Sequence, residues 1–385
     1  MSLTPRLFTS PLQRLLREFP IVCLLGPRQC GKTTFVKEQF PEWAYFDLEK
    51  PSHRTAVESD PEGFMNRHPH QIIFDEAQQF PPLFPLLRSF VDEHKGKTSK
   101  ILLLGSASPN LIRNVSESLA GRVGFLDMTP FQMEEVEDEN RLWLCGGFPT
   151  PYLAKTTAQR FDWFEGYTRT FIERDLKLYG IEVRPVMMRR LWTMLAHVHG
   201  GILNASELGN ALGMNYHTIN HYIDILEQTF LIRRLSPYFV NIGKRLVKSP
   251  KIYLRDTGLL HYFLHLNTKE EILVSPKCGA SWEGFVMEQL MDAIRIKKPD
   301  TEFYFWQTAT KQEVDLLIKE GEKIIPIEIK RHTAPKKEDV GGLFFCMKDL
   351  KLKKGFIVRP EGESRYSLGE GVEVLSLVEI LDIFK

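Results

Sequence analysis

The sequence predicts an α/β protein made of three successive parts, and three observations support this prediction. The chain has 385 residues, which is too long for one ordinary domain. Short apolar runs alternate with helical stretches over residues 1–150, an order that is typical of a parallel sheet. A helix-rich stretch follows over residues 151–255, and strands and helices alternate again over residues 256–385. These ranges are the three predicted domains.

The composition is that of a globular protein without a membrane span. Hydrophobic residues make up 43% of the chain and charged residues 26%. No run approaches the length of an apolar transmembrane helix, and the N-terminus lacks the pattern of a signal peptide. The five cysteines are scattered, so neither a disulfide framework nor a zinc site is predicted. We therefore expect a cytoplasmic protein with no membrane partner.

The net charge of +1 is unevenly distributed along the chain. Residues 151–280 carry 17 Lys and Arg against 11 Asp and Glu, whereas the segments before and after are slightly acidic. A polyanion would therefore meet the middle part of the chain.

A glycine-rich loop follows the first predicted strand. Residues 21–25 form an apolar run, residues 26–33 match the pattern G-x-x-x-x-G-K-[ST], and a helix is predicted after them. The backbone N–H groups of such a loop surround phosphate oxygens at a helix N-terminus. We expect Lys32 at the β- and γ-phosphates and Thr33 at a Mg²⁺ ion. The residues assigned to nucleotide binding here are Gly26, Pro27, Arg28, Gln29, Cys30, Gly31, Lys32, Thr33 and Thr34.

A second apolar run, at residues 71–74, ends in the carboxylates Asp75 and Glu76. We expect Asp75 to hold the Mg²⁺ ion through water. Glu76 is placed to polarise the attacking water, because that role needs a base in line with the γ-phosphate. The alternative is a pair of acidic residues that only terminates a strand.

Two further polar residues are candidates for contact with the γ-phosphate. Ser106 ends the apolar run 100–105, and ligands bind at the carboxyl ends of parallel strands. The alternative is that Ser106 only stabilises a turn. Arg122 precedes the run 123–128 and would reach a γ-phosphate in its own or a neighbouring subunit. Its alternative is a surface ion pair.

Taken in order, these motifs resemble the AAA-type ATPases of bacteria and archaea that carry an uncharacterised C-terminal half. After the loop come IIFDEAQ at 72–78, LLGSAS at 103–108, LAGRV at 119–123 and GGFPTP at 146–151. The resemblance implies an AAA-like P-loop domain that binds ATP, and a homo-oligomer. The chain has Ala107 after Ser106, where a serine-rich run is usual in this family.

The middle part has the organisation of a helix-turn-helix. Residues 205–212 predict a short helix, Gly213 permits a turn, and Asn215 can cap a second helix. His217 and His221 are spaced as metal ligands can be, but no third ligand lies nearby, so they are assigned to a polar helix face.

A basic stretch follows the helix pair, with strand-like runs at 230–235 and 251–256 that suggest a winged-helix hairpin. One interpretation is a winged helix that binds DNA through its phosphates. The other is a winged helix that serves structure or oligomerisation. The residues assigned to nucleic-acid binding are Arg233, Arg234, Lys244, Arg245 and Lys248.

The last part carries an Asp…Glu-x-Lys pattern on two neighbouring predicted strands, 312–318 and 323–330. Residues 328 and 330 share one strand face, and Asp315 can meet that face. Asp315 and Glu328 would hold a divalent metal, Mg²⁺ or Mn²⁺, that activates water, and Lys330 would orient or deprotonate that water. The pattern resembles the restriction-endonuclease-like fold, in which Glu283 would take the helical acidic position.

The predicted function is a cytoplasmic ATPase coupled to DNA, with metal-dependent DNA cleavage as an open question. An inherited scaffold that binds without cutting is the alternative for the last domain. The alternative for the whole chain is an ATP-dependent regulatory switch or an interaction module that binds a protein partner.

Overall fold

The computed structural model describes residues 4–68, 70–94, 100–106, 115, 117–178, 181–238, 249–362 and 364–384. The chain forms two compact units. The first comprises Met1–Glu135, Asp175–Glu182 and Gln228–Phe230, and the second comprises Val136–Arg174, Val183–Glu227 and Leu231–Lys385. Most residues of the predicted second and third domains therefore share one unit, and the boundary at residue 255 stays a prediction.

The first unit is built on a five-stranded parallel sheet, as the sequence predicts. Its strands lie in the order β2-β3-β4-β1-β5. Buried runs such as that of β1 are continuously apolar because helices cover both faces of a parallel sheet. The strands are β1 Ile21–Gly26, β2 Ala44–Asp47, β3 Gln71–Asp75, β4 Lys100–Ser106 and β5 Val123–Asp127.

Amphipathic helices pack against this sheet and form its hydrophobic core. Helix Leu83–Glu93 buries Leu83, Leu87 and Phe90, which recur at helical spacing along one face. These side chains pack in one cluster with sheet residues that include Phe74. The other helices of this unit are Thr9–Glu18, Lys32–Gln39, Pro51–Glu58, Pro61–Arg67 and Leu176–Leu178.

The second unit begins with helices and a two-stranded antiparallel sheet. The predicted helix pair is present: Gly213 ends the first helix in a left-handed conformation, φ 64°, and the Asn215 carboxamide accepts a hydrogen bond from the Thr218 N–H at 2.8 Å. The helices in this part of the second unit are Glu139–Cys145, Pro149–Leu153, Thr157–Thr170, Pro185–His197, Ala205–Leu212 and Tyr216–Gln228. Its strands are β6 Ile232–Leu235 and β7 Lys251–Leu254. A π-helical turn spans Phe171–Asp175.

A mixed six-stranded sheet completes the second unit, in the order β12-β13-β11-β10-β9-β8. Strands β9 and β10 are antiparallel, whereas β10 and β11 are parallel. The strands are β8 Glu302–Gln307, β9 Glu313–Glu320, β10 Lys323–Ile329, β11 Gly355–Arg359, β12 Tyr366–Gly369 and β13 Val372–Ser376. The helices are Thr257–Phe263, Lys269–Val274, Cys278–Lys297, Gly341–Asp349 and Leu377–Ile383.

Within the described ranges, no helix is long and apolar enough to span a membrane.

Candidate functional site

The phosphate loop leaves the end of β1 and enters helix Lys32–Gln39. A Cβ atom on Gly26 would lie 2.1 Å from the main-chain oxygen of Met128, so only glycine fits at this close approach. Gln29 and Gly31 both have positive φ angles, 62° and 103°, which curl the backbone into a concave loop. The loop therefore has the backbone form that phosphate oxygens require.

The ammonium group of Lys32 lies inside this loop. The side chain is buried, and Nζ donates hydrogen bonds to the main-chain oxygens of Gly26 and Pro27, each at 2.9 Å. Because a phosphate oxygen is a stronger acceptor than a neutral carbonyl, the position suits an ammonium that binds phosphate.

The other predicted loop residues differ in exposure. Cys30 is buried, with its Sγ 3.6 Å from the Met128 main-chain oxygen, whereas Thr34 is exposed on the helix. Arg28 forms an ion pair with Asp175, which belongs to the same unit although it is distant in sequence.

The two residues predicted to hold Mg²⁺ are in direct contact. The Thr33 hydroxyl donates to the Asp75 carboxylate at 2.7 Å, and the hydroxyl of Tyr45 donates to the same Oδ2 at 2.6 Å. Asp75 is buried at the carboxyl end of β3. This set of a hydroxyl and a carboxylate oxygen fits Mg²⁺, which prefers oxygen ligands and keeps several waters. Sequence reasoning missed Tyr45, which reaches Asp75 because β2 and β3 are neighbours.

Glu76 lies directly after this carboxylate in a constrained conformation. Its φ of 53° places a non-glycine residue in the left-handed region, and its N–H donates to Asp75 Oδ1 at 2.9 Å. The Gln78 side chain donates a hydrogen bond to its carboxylate. Burial raises the pKa of Glu76, although the charge of Lys32 opposes this shift. A carboxylate with a raised pKa next to the aspartate predicted to hold Mg²⁺ suits the role of a general base.

Ser106 and Arg122 occupy different environments. Ser106 is buried at the end of β4 and pairs in register with Gly26, the first glycine of the loop. Arg122 forms two hydrogen bonds to the carboxylate of Asp92, at 2.9 and 2.8 Å, which is the ion pair that the sequence left as an alternative. A contact between Arg122 and a nucleotide stays a prediction.

In the second unit, the structure brings together the three residues of the Asp…Glu-x-Lys pattern. The N–H of Ile329 donates to the Asp315 carboxylate at 2.7 Å, and Lys330 Nζ donates to Glu328 Oε1 at 2.6 Å. The second oxygen of Glu328 is buried and has no hydrogen-bond partner. Burial raises the pKa of Asp315, as do the nearby charges of Glu328 and Glu283.

Glu283, the predicted helical acid, is held by residues of β7. Lys251 Nζ lies 3.1 Å from Glu283 Oε1 and also pairs with Glu313, while the Tyr253 hydroxyl donates to Glu283. We call Glu283, Glu313, Asp315 and Glu328, together with Lys251 and Lys330, the acidic cluster. Over the described part of the chain, no group of three or more His, Cys, Asp or Glu side chains is arranged to hold a metal ion.

The predicted nucleic-acid residues fall into three groups. Arg233 is buried and forms ion pairs with Glu288 and Asp292, so it serves as a structural cation. Arg234 is partly exposed and pairs with Asp224 and Glu227. Lys244, Arg245 and Lys248 lie outside the described residues.

Three successive stretches of the chain match known protein families. Residues 18–137 match the family described as AAA domain. This stretch contains the phosphate loop, Asp75 and Glu76. Residues 136–270 match a domain of unknown function, DUF8612, and residues 278–380 match another, DUF4143.

Two curated relatives match nearly the whole chain. The uncharacterized protein Rv2008c of Mycobacterium tuberculosis is 40% identical over 375 residues, which are 96% of this chain and 83% of the relative. The chain belongs to the family of this mycobacterial protein. The uncharacterized protein Mb2031c of Mycobacterium bovis gives the same values. The N-terminal sheet and loop of this family member form an AAA-type P-loop ATPase domain.

Among solved structures, the Walker-type ATPase PABY2304 of Pyrococcus abyssi is 14% identical, with a TM-score of 0.47, over 68% of this chain and 96% of that chain. The Holliday junction branch migration motor RuvB of Thermotoga maritima is 15% identical, with a TM-score of 0.31, over 58% of this chain and 87% of that chain.

Proposed function

We propose that this protein binds ATP with Mg²⁺ and hydrolyses it at the phosphate loop of the first unit. The observation that carries the proposal is the 2.7 Å hydrogen bond between Thr33 and Asp75, beside a loop that contains the Lys32 ammonium. Lys32 and Thr33 begin the helix that follows β1, and Asp75 ends β3. The groups converge because β1 and β3 both end at the same sheet edge.

Each residue has a distinct part in this proposal. The loop N–H groups and Lys32 hold the phosphates, and Thr33 and Asp75 hold the ion, with Asp75 acting through water. A bound Mg²⁺ ion supplies positive charge that neutralises the charge developing on the phosphates. Glu76 orients the attacking water and accepts its proton.

The hydroxyl of Thr33 gives the first test. A Thr33→Ala variant is expected to need about tenfold or more Mg²⁺ for half-maximal ATP hydrolysis, because one ligand of the ion is lost. The measurement is phosphate release over a series of Mg²⁺ concentrations. Thr55→Ala is the matched control, since Thr55 is an exposed threonine on helix Pro51–Glu58 of the same unit. An unchanged Mg²⁺ requirement in Thr33→Ala would contradict the assignment.

We also propose that DNA is the partner of the second unit. The observation that favours it is the order of elements: two helices joined through Gly213, followed by the antiparallel pair β6 and β7. Tyr216, His217 and His221 are exposed on the second helix, which is the helix that contacts bases in helix-turn-helix proteins. The basic stretch after it would supply phosphate contacts.

This second proposal predicts a specific salt dependence. The double variant Lys244→Ala/Arg245→Ala is expected to weaken DNA binding and to reduce the slope of log affinity against log salt by about 1.8, because two phosphate contacts are lost. Fluorescence anisotropy with labelled duplex DNA measures this slope. The control is Lys298→Ala/Lys354→Ala, which removes two half-exposed charges elsewhere.

Two outcomes bear on the DNA proposal as a whole. If the basic-stretch variant and the control lose the same amount of DNA affinity, the basic stretch is not the DNA-binding surface. A wild-type protein that does not bind DNA at low salt would overturn it and favour the interaction module, which binds a protein partner. A homo-oligomer stays a prediction.

A further inference from the structure

We infer that Lys251 is the resident cation of the acidic cluster and that its ammonium takes the place of a divalent metal ion. This inference concerns the second unit only. It does not depend on ATP hydrolysis by the first unit.

The first observation is where the ammonium lies. The Lys251 side chain is only 3% exposed, and its Nζ contacts Glu283, the predicted helical acid, at 3.1 Å. It also pairs with Glu313 at the start of β9, the strand that carries Asp315. A buried ammonium is stable only when carboxylates compensate its charge, so the position of Lys251 depends on these two glutamates.

The second observation is that each of the other predicted metal ligands already has a donor within the chain, although the second oxygen of Glu328 has none. Asp315 accepts the N–H of Ile329, and Glu328 accepts from Lys330. Tyr253 adds a hydrogen bond to Glu283 from the same strand as Lys251. The described carboxylates do not converge on a shared point as metal ligands would. The residues present therefore do not fit a preformed divalent site.

The third observation is that the backbone fixes Lys251 in this position. Lys251 opens β7, where it pairs with Leu235 of β6 and forms an isolated bridge with Ile202. Main-chain hydrogen bonds from Gly200 to Ile252 and from Leu203 to Pro250 hold the strand on its other side. These contacts fix the main chain at Lys251, and the burial of its side chain keeps the ammonium beside Glu283 and Glu313.

The consequence is a gain of metal binding when the ammonium is removed. With Lys251 absent, Glu283 and Glu313 lose their cation beside Asp315 and Glu328. Such a set of carboxylates attracts a divalent cation, since affinity rises with the number of ligand charges. In the wild-type chain, the two lysines offset two of the four carboxylate charges, and Lys251 already occupies the position beside Glu283 and Glu313.

The experiment titrates nucleotide-free protein with MnCl₂ and follows free Mn²⁺ by electron paramagnetic resonance. Wild type and Asp315→Asn are expected to give the same isotherm, because Mn²⁺ does not use Asp315. Lys251→Met is expected to gain one site with affinity about tenfold or more above wild type. Asp315→Asn in the Lys251→Met background removes that site. Lys298→Met is the matched control, since its lysine pairs with Glu320 at the surface.

A charge-balanced variant covers the case in which Lys251→Met does not fold. Lys251→Met/Glu313→Gln removes the ammonium together with one of its carboxylates and leaves Glu283, Asp315 and Glu328. It is expected to gain the same site, seen also as a rise in its melting temperature with MnCl₂ that wild type lacks.

Two results would overturn the inference. One is a Mn²⁺ site in the wild type that Asp315→Asn abolishes, which would also restore metal-dependent DNA cleavage as a hypothesis. The other is a folded Lys251→Met or Lys251→Met/Glu313→Gln protein that binds Mn²⁺ no better than wild type. Either result leaves the ATP site untouched, because that site is tested by turnover.

Discussion

Lys32→Ala is expected to lose ATP binding and to reduce turnover by about 100- to 1,000-fold, the usual effect of removing a preorganised group that stabilises developing charge. The reason is the position of the ammonium, which is buried within the loop and bonded to its carbonyl groups. Alanine removes the side-chain cation that the loop pattern directs at the β- and γ-phosphates.

A fluorescent ATP analogue measures binding, and phosphate release measures turnover. Lys37→Ala is the matched control, because Lys37 lies on the same helix but is exposed and stacks on the Tyr45 ring. Its affinity for ATP is expected to stay within a few-fold of wild type. If Lys32→Ala binds and hydrolyses ATP as well as Lys37→Ala does, the loop is not the nucleotide site.

Glu76→Gln is expected to separate binding from hydrolysis. The amide keeps the shape of the side chain but cannot accept a proton, so turnover falls by about 10²- to 10⁴-fold while ATP still binds. Glu76 lies directly after Asp75, the proposed Mg²⁺ ligand, and burial raises its pKa. The wild-type rate should therefore fall on acidification at a higher pH than an ordinary glutamate would give.

Glu58→Gln is the control for this substitution. Glu58 is an exposed member of an i,i+4 pair with Arg54 in the same unit, so its loss is expected to leave turnover unchanged. Binding and phosphate release are measured on the same samples. A Glu76→Gln protein that releases phosphate at the wild-type rate would exclude Glu76 as the base.

Much of the fold was predictable from the sequence because its central strands are unbroken apolar runs. This holds for β1, β3 and β4, whereas β9 and β10 in the second unit are mainly apolar but contain Asp315 and Glu328. Strands β12 and β13 were not predicted, because both are short and β12 alternates half-buried with exposed residues. Helix Thr157–Thr170 changes to a π-helical turn at Phe171–Asp175, a feature that no sequence pattern indicates.

The nucleotide residues were predictable for a different reason, namely that a single loop and one strand end carry them. Contacts between neighbouring strands, or between segments that are distant in sequence, could not be predicted. Tyr45 reaches Asp75 from a neighbouring strand, and Asp175 reaches Arg28 from more than a hundred residues away. Arg233 was assigned to nucleic-acid binding as part of a basic stretch, yet it is buried, because Glu288 and Asp292 on helix Cys278–Lys297 supply its counter-charges.

We propose that the first unit is a Mg²⁺-dependent ATPase. Phosphate release from ATP is measured for the wild type, Lys32→Ala and Glu76→Gln, each with Mg²⁺ and with EDTA, together with ATP binding. We expect that wild type alone releases phosphate, only with Mg²⁺, and that Glu76→Gln still binds ATP. Phosphate release that survives EDTA or both substitutions, or a wild type that does not bind ATP, would contradict it.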